Sequence, residues 1–233
     1  MKVLKHPETV LVKNEFYPKG LKEMDSWTYY QSVQNKLLSE ISGRDLMIFI
    51  ATGVNETTVL RRGKTTNFIR LNRSNWDDTF HARMLSIIST MHQAEDFAII
   101  DVDTIDFRKA KEATLETYNF VVSSIPFVDS AWIKYTGKNS FHVVCNLKRE
   151  MYVDQVKILL RHFLEKSDLR QKYSIDDTRR RDKSILNLDL SSMKWRGGFV
   201  SLHSLSALGL RCMKVNIEKV RSFKKEDAVI KTV

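Results

Sequence analysis

The chain has 233 residues, with 38 Lys and Arg against 28 Asp and Glu, which gives a formal net charge of +10. A hydrophobic fraction of 42% can build a full core and excludes a disordered, collagen-like or coiled-coil chain. No apolar run approaches the roughly 20 residues that a membrane helix needs, and the start lacks the apolar stretch of a secretory signal. We therefore expect a soluble, intracellular protein, cytoplasmic in a prokaryote. Because the net charge is positive, the first partner to consider is a polyanion such as nucleic acid.

The first part of the chain is predicted to form helices and strands in alternation. Apolar residues at helical spacing predict an amphipathic helix over residues 24–41, which Gly43 ends. A buried strand is predicted from Leu46, followed by two short strands around Gly63 that form a hairpin with basic residues at its turn. Residues 77–93 return to a helical period and predict a second helix.

The rest of the chain is predicted to form a central sheet with flanking helices. The branched apolar run FAIIDVDTID suits a central strand, and a helix from about Phe107 to Ser123 follows, with Asp106 as its N-cap. Further predicted elements are strands near 130–135 and 140–147, a helix near 152–166, a charged loop DDTRRRDK, and strands near 185–190 and 198–203. Because no repeat or flexible linker divides the chain, this order predicts one compact α/β (α+β) domain.

Two carboxylates end the predicted central strand. Asp101 and Asp103 are two residues apart, so the period of a strand puts both on one face of the sheet. Two anions there repel each other unless a proton or a cation intervenes, and a hard divalent ion with oxygen ligands removes the repulsion. The same pair also suits a solvated strand end at which Asp103 or Asp106 caps the next helix.

Two further segments carry polar residues typical of ligand sites. In KYTGKNSFH, a turn containing Thr136 and Gly137 beside Lys138 can bind a phosphate through backbone donors, and His142 can donate to a phosphate oxygen. Asp189 follows the apolar run ILNL, where an acid is unusual unless a positive group meets it. The alternatives are a hairpin turn with a structural histidine in the first segment, and a turn aspartate with a surface histidine in the second.

Cysteine usage argues against two other classes of protein. Cys145 and Cys212 lie far apart, without a CxxC or Cys/His spacing, so neither a disulfide framework nor a zinc module is indicated. Both are predicted to be small core residues rather than nucleophiles.

Taken together in their order, these motifs resemble the archaeo-eukaryotic primase superfamily. The pattern is DxD, then a (Ser/Thr)-Gly-basic loop that leads to an apolar-His pair, then an apolar-Asp followed by Arg and Ser-Leu-His, and it covers roughly residues 5–215. The opening HPETVLV and YPKGLKEMDSWTYYQSVQNKLLSEISGRDL, and KYTGKNSFHVV, look like the ligase D polymerase branch of prokaryotic end joining. RGGFVSLHSLSALGL is more similar to the small subunit of archaeal replicative primases.

One feature favours the end-joining branch. Replicative small subunits usually carry a zinc knuckle, which two distant cysteines cannot build. The chain departs from the pattern of this branch at Thr136, where serine is usual, and at Ser140, where glycine is common. These two substitutions still leave a hydroxyl group and a backbone turn in the loop.

The resemblance implies a fold, a site and cofactors. It implies a single catalytic domain over residues 1–233, in which a helix and hairpin module (about 1–95) accompanies a primase-like palm (about 96–215) with a sheet like that of RNA-recognition motifs. Asp101, Asp103 and Asp189 would be catalytic and would hold two Mg²⁺ or Mn²⁺ ions. The implied nucleotide-binding residues are Thr136, Gly137, Lys138, Ser140, His142, Arg196, Ser201 and His203.

The residues that would contact DNA are less sharply indicated. The candidates for a 5′ phosphate, for the template and for the DNA backbone are Lys13, Lys19, Lys22, Arg62, Lys64, Arg179, Arg180 and Arg181, each of which would equally suit a solvated surface. Trp76 and Trp195 could stack on bases or pack in the interior.

The implied activity is template-dependent nucleotidyl transfer that extends or gap-fills DNA ends in non-homologous end joining, with a preference for ribonucleotides. DNA with 5′-phosphorylated gaps or ends, nucleoside triphosphates, a Ku protein and a DNA ligase would be its partners. The alternatives are a primase or primase-polymerase that makes primers de novo, and a silent nucleic-acid-binding module. Three acids in a basic groove argue against the last, because carboxylates add nothing to electrostatic binding.

Overall fold

A computed structural model of the chain describes residues 13–21, 23–53, 56–60, 69–76, 84–176 and 186–231. The chain divides into two compact units. Unit 1 comprises Met1–Thr90, Val200–Met213 and Lys224–Val233, and unit 2 comprises Met91–Phe199 and Lys214–Phe223. No helix within the described ranges is long and apolar enough to span a membrane.

Unit 1 packs a helix and a small antiparallel sheet around one core. Helix α1 (Glu23–Glu40) precedes β1 (Leu46–Gly53), which lies between β2 (Glu56–Leu60) and β3 (Met84–Thr90). Gly43, with φ 72°, supplies the turn after the helix. The fully buried members of this core that α1 and the first strand contribute are Tyr30, Leu37, Leu46 and Ile48.

The predicted helix over residues 77–93 is wrong over its second half, where the chain forms β3. In this strand Ile87 lies opposite Ile48 of β1 in an antiparallel register. Apolar residues three and four apart are compatible with a buried strand as well as with a helix, and the branched pair Ile87-Ile88 flanked by serines favours the strand. Residues 77–83 lie outside the described part.

The predicted hairpin around Gly63 is only partly described. β2 confirms its first strand, which pairs with β1. The turn, residues 61–68, lies outside the described part, and Ile69 beyond it bridges to Leu46 of β1.

Unit 2 is built on a six-stranded sheet of order β10-β5-β6-β4-β8-β7. Its strands are β4 (Ala94–Asp103), β5 (Val128–Tyr135), β6 (Phe141–Tyr152), β7 (Ser174–Asp176), β8 (Asn187–Asp189) and β10 (Met213–Val215). Strand β9 (Gly198–Val200) is not part of this sheet; within it the sequence passes from unit 2 back to unit 1. The run Ala98, Ile99 and Ile100 in β4 is fully buried, as expected for a central strand covered on both faces.

Three helices belong to unit 2: α2 (Phe107–Ser124), α3 (Val153–Glu165) and the short α4 (Leu169–Lys172). Asp106 caps α2 by accepting hydrogen bonds from the backbone amides of Arg108 (2.9 Å) and Lys109 (3.0 Å), which confirms the predicted start of this helix. The described chain is thus a mixed α/β fold of sheets and four helices. The predicted central strand, which carries the acids, is β4.

Candidate functional site

A row of charged and polar residues crosses the middle of the sheet of unit 2. In the strand register, Asp101 of β4 lies directly opposite His142 of β6 on one side and opposite Asp189 of β8 on the other. Lys134 of β5 lies opposite His142. Residues directly opposite each other on neighbouring strands share a face, so four strands bring these four residues into one line.

A second, shorter row lies beside the first. Asp103 is two residues beyond Asp101 on β4, so it lies on the same face, and Asn187 of β8 lies directly opposite it. Asp101 and Asp103 are partly exposed, whereas Asp189 is buried. The fold therefore brings the three predicted acids together on one sheet face.

Two of the three carboxylates lie close to protein groups. Asp189 Oδ1 accepts a hydrogen bond of 2.6 Å from the backbone amide of Ser191, and Asp101 Oδ1 lies 3.7 Å from His142 Nε2. In the ranges that the structure describes, no group of three or more His, Cys, Asp and Glu side chains is arranged to hold a metal ion. The donor set, three carboxylates on one sheet face with Asp101 and Asp189 directly opposite each other, nonetheless has the chemistry that Mg²⁺ and Mn²⁺ prefer.

His142 is buried and lies next to Asp101 on the neighbouring strand β6. Its pKa is held well below the usual 6.5, first by burial and second by the positive charge of Lys134. The imidazole is therefore neutral at pH 7, with one nitrogen as donor and the other as acceptor. Its Nδ1 is buried without a hydrogen-bond partner among the described residues.

Lys134 is a member of the row that the sequence analysis did not single out. The side chain is 1% exposed, and its Nζ lies 5.0 Å from the centre of the Phe199 ring. A fully buried lysine is rare. Because Lys134 lies on the acid-bearing face, its positive ammonium group offsets the negative charge of the carboxylates. A lysine inside the apolar strand AWIKY is the signal that could have found it.

Two other residues of this face were also missed. Asn187 stands opposite Asp103, and its Oδ1 is buried without a hydrogen-bond partner in the described part of the chain. Asp176 occupies the backbone register position beside Asp189 in the parallel pair of β7 and β8. Asn187 is two residues from Asp189, and Asp176 is related to Asp189 by strand pairing. Neither relation gives a signal until the register is known.

The glycine loop between β5 and β6 is closed by its own hydroxyls. Thr136 Oγ1 donates to the carbonyl oxygen of Ser140 (2.9 Å) and lies 2.8 Å from Ser140 Oγ, while Gly137 has φ 91°. The hydroxyl of Tyr135 donates to the carbonyl oxygen of Lys138 at 2.7 Å, and the side chain of Lys138 is exposed. The loop thus presents an ammonium group on a fixed turn, which suits contact with a phosphate.

Replacing Gly137 with alanine is expected to strain this loop. A β-carbon at a positive φ costs about 1–2 kcal/mol, so the variant should lose about that much stability. Gly43→Ala is the matched control, because φ there is also positive (72°) and nothing lies within 4 Å of the added carbon. Thermal unfolding should occur at a lower temperature in both variants than in the native protein. An unchanged midpoint for Gly137→Ala would show that the loop accepts a β-carbon without strain.

The remaining predicted nucleotide-binding residues fall in both units. Arg196 (φ 57°, unit 2) and His203 (φ 65°, unit 1) are the non-glycine residues with positive φ in the described ranges. Such conformations are costly and cluster at functional sites. The pKa of the half-buried His203 is lowered, first by burial and then by Lys36. Its carbonyl accepts a hydrogen bond of 2.8 Å from the hydroxyl of Tyr29.

Ser201 does not have the accessibility that was expected of it. Its side chain is fully buried in unit 1, where its hydroxyl lies 2.7 Å from that of Ser89. A buried serine needs such a partner. The observed hydrogen bond therefore gives Ser201 a structural role, and its burial argues against direct contact with a nucleotide.

Only some of the predicted DNA-binding residues are described. Lys13 and Lys19 are exposed. Trp76 is fully buried in the core of unit 1, so it cannot stack on a base, whereas Trp195 is 61% exposed. The candidates that lie outside the described residues are Lys22, Arg62, Lys64, Arg179, Arg180 and Arg181.

Both cysteines are buried, as predicted for core residues. Burial raises the pKa of Cys145 to about 12. We therefore expect no reaction of either thiol with a disulfide reagent at pH 8 in the native protein and release of two equivalents of chromophore after denaturation, measured by absorbance. Rapid labelling of the native protein would contradict the burial.

Comparison with known proteins supports the fold. No protein-family profile and no curated protein sequence matches the chain. Among solved structures, the chain is similar to the polymerase domain of Mycobacterium tuberculosis ligase D in complex with DNA, with a TM-score of 0.70, 11% identity, and coverage of 93% of this chain and 88% of that chain. At this identity the similarity shows the fold: the chain has a mixed α/β fold like that of a DNA-bound polymerase domain.

Proposed function

We propose that the chain is a template-dependent nucleotidyltransferase that extends or gap-fills DNA ends in non-homologous end joining and favours ribonucleotides. The observation that carries this proposal is the pairing of Asp101 with Asp189 across β4 and β8, with Asp103 on the same face. In a fold similar to a DNA-bound polymerase domain, such a set of acids suits phosphoryl transfer. The palm-like architecture and the partners Ku and a DNA ligase belong to the same proposal.

The acids of this face would bind the catalytic cations. Asp101, Asp103 and Asp189 would hold two Mg²⁺ or Mn²⁺ ions, which when bound would supply activation of the primer 3′ hydroxyl and neutralisation of the triphosphate. Asp101 and Asp103, which are partly exposed, can receive a cation from solvent. Asp189 would ligate a cation through its remaining lone pairs while Oδ1 keeps the hydrogen bond from the Ser191 amide.

The basic residues beside the acids would position the nucleotide. Lys138 on its closed turn can contact a phosphate, and Arg196 offers a second cation. His142 is neutral, so it binds by donating one N–H without adding charge. Lys134 is buried behind it and offsets the charge of the acids. These residues orient and neutralise the nucleotide.

The proposal is tested with DNA that carries a one-nucleotide gap. The gap is offered with a 5′ phosphate or a 5′ hydroxyl on its downstream strand, with Mn²⁺ or Mg²⁺, and with ribonucleotides or deoxyribonucleotides separately. We expect filling that depends on the 5′ phosphate and favours ribonucleotides. Equal filling of both gaps, or a preference for deoxyribonucleotides, would contradict the end-joining proposal.

A primase is the second candidate, favoured by the similarity of RGGFVSLHSLSALGL to archaeal primase small subunits. An unprimed single-stranded template included in the same experiment separates the two functions. Products from this template alone would identify a primase, and no product from any substrate would favour a silent DNA-binding module.

A further inference from the structure

A tight turn follows Asp189 at the end of β8 and is fixed in place by the backbone. Within the turn, the amide of Gly197 donates to the carbonyl oxygen of Lys194 at 2.7 Å. Two bonds then attach the turn to the start of unit 2: Arg196 N to Met91 O at 3.0 Å, and Met91 N to Gly197 O at 2.8 Å. A β-carbon on Gly197 would lie 1.9 Å from the carbonyl oxygen of Ser192, so only glycine fits there.

The turn also has a buried anchor on the strand that carries the acids. The side chain of Met193 is fully buried, and its sulfur accepts a hydrogen bond of 3.2 Å from the amide of Ile99 in β4. Ile99 precedes Asp101 by two residues. The position of the turn is therefore tied to the face that holds Asp101.

Trp195 stands on this fixed turn with 61% of its surface exposed. The guanidinium carbon of Arg196 lies 5.0 Å from the centre of the indole, and Arg196 holds a positive φ of 57°. By contrast, Trp132, which also has a cation near its ring (Lys214 Nζ at 5.3 Å), is partly buried against the core. The fold leaves the indole of Trp195 in solvent on a rigid support.

We propose that Trp195 is a stacking platform for an unpaired base of single-stranded DNA. An exposed indole offers a flat π surface that any base can cover, and such stacking tolerates every sequence. Lys194, exposed beside it, and Arg196 supply positive charge for the phosphates on either side of the base. The net charge of +10 favours the same partner.

This inference deepens the proposed function, because it names where unpaired template would be held, but it is tested by binding alone. The probe is the oligonucleotide (dT)12, compared with a 12-mer of abasic sites that keeps the phosphates and lacks bases, without metal or nucleotide. For the native protein we expect tighter binding of (dT)12, and for Trp195→Ala a loss of about 10-fold toward (dT)12. The abasic strand should bind both proteins equally.

Two further measurements separate stacking from charge. Stacking releases no counterions, so Trp195→Ala should leave the slope of log affinity against log salt unchanged, while Lys194→Gln should reduce the magnitude of the slope by about 0.7. Trp195→Phe should remove the quenching of tryptophan fluorescence by (dT)12, whereas the matched control Trp132→Phe should keep it.

Three results would overturn the inference. The first is equal affinity of Trp195→Ala and the native protein for (dT)12. The second is a loss of affinity of Trp195→Ala for the abasic strand as large as its loss for (dT)12. The third is a change in the oligomeric state of Trp195→Ala on size-exclusion chromatography without a change in DNA binding, which would make Trp195 a protein contact. If the native protein binds (dT)12 tightly and only the Trp195 effect fails, the proposed function stands. If the native protein does not bind (dT)12 at all, the inference fails, and the gap-filling experiment decides the proposed function by itself.

Discussion

Asp101→Asn is expected to reduce nucleotide incorporation by at least about 1,000-fold, since about 4 kcal/mol of transition-state stabilisation depends on a charged ligand set. Asp101 is paired on both sides in the sheet, with His142 of β6 opposite it on one side and Asp189 of β8 on the other. Removing its charge leaves the side-chain shape unchanged. The affinity for DNA should be equal or higher, because one negative charge is lost from a basic surface.

The control for this variant lies on the same strand. Asp96→Asn removes an exposed carboxylate from β4, far from the pair with β8, and should change incorporation by less than about twofold. Incorporation is measured by single-turnover primer extension, and DNA binding by fluorescence anisotropy. Equal rates for Asp101→Asn and the native protein would exclude the assigned metal site.

Phe141→Ala should produce the largest loss of stability, about 3–5 kcal/mol. Phe141 is fully buried beside His142, and its ring stacks on that of Phe107 with centroids 5.6 Å apart. Tyr135 (5.4 Å) and Phe223 (5.9 Å) complete the aromatic cluster. This cluster supports both the start of α2 and the glycine loop, so the void would lie directly beneath the candidate site.

The conservative variant Phe141→Leu keeps most of the buried volume and should lose less than about 1.5 kcal/mol. Denaturation in urea, followed by circular dichroism, gives the free energy of unfolding of both variants. A midpoint for Phe141→Ala equal to that of the native protein would mean that the cluster is not packed as described. The activity of the folded fraction of Phe141→Ala would show whether the glycine loop needs the aromatic cluster for its function.

Local signals explain which parts of the fold the sequence predicts. The helix α2 was expected almost to the residue, because Asp106 is a strong N-cap and α2 has clear periodicity. The strand β4 was equally clear, because a branched apolar run leaves little alternative to a central strand. The segment of β3 was misread because Ile87 and Ile88 fit a helical spacing, and its pairing with β1 is a tertiary contact that no local window contains.

The candidate site shows the same division. Asp101 and Asp103 were placed on one face by the strand period alone. That Asp189 lies opposite Asp101, and Lys134 opposite His142, depends on strand order and register, which unite segments far apart in the sequence. Ser201 is buried with its hydroxyl against that of Ser89 in β3, a tertiary contact that no motif reports.

We propose that the acid-bearing face of unit 2 performs templated nucleotidyl transfer. The most direct measurement offers the native protein a primer annealed to a template with one defined unpaired base, with each of the four nucleotides in turn, in Mn²⁺ and again with excess EDTA. We predict addition of the complementary nucleotide alone, and none with EDTA. Addition without regard to the template, addition in EDTA, or no addition by folded protein that binds the DNA would contradict the claim.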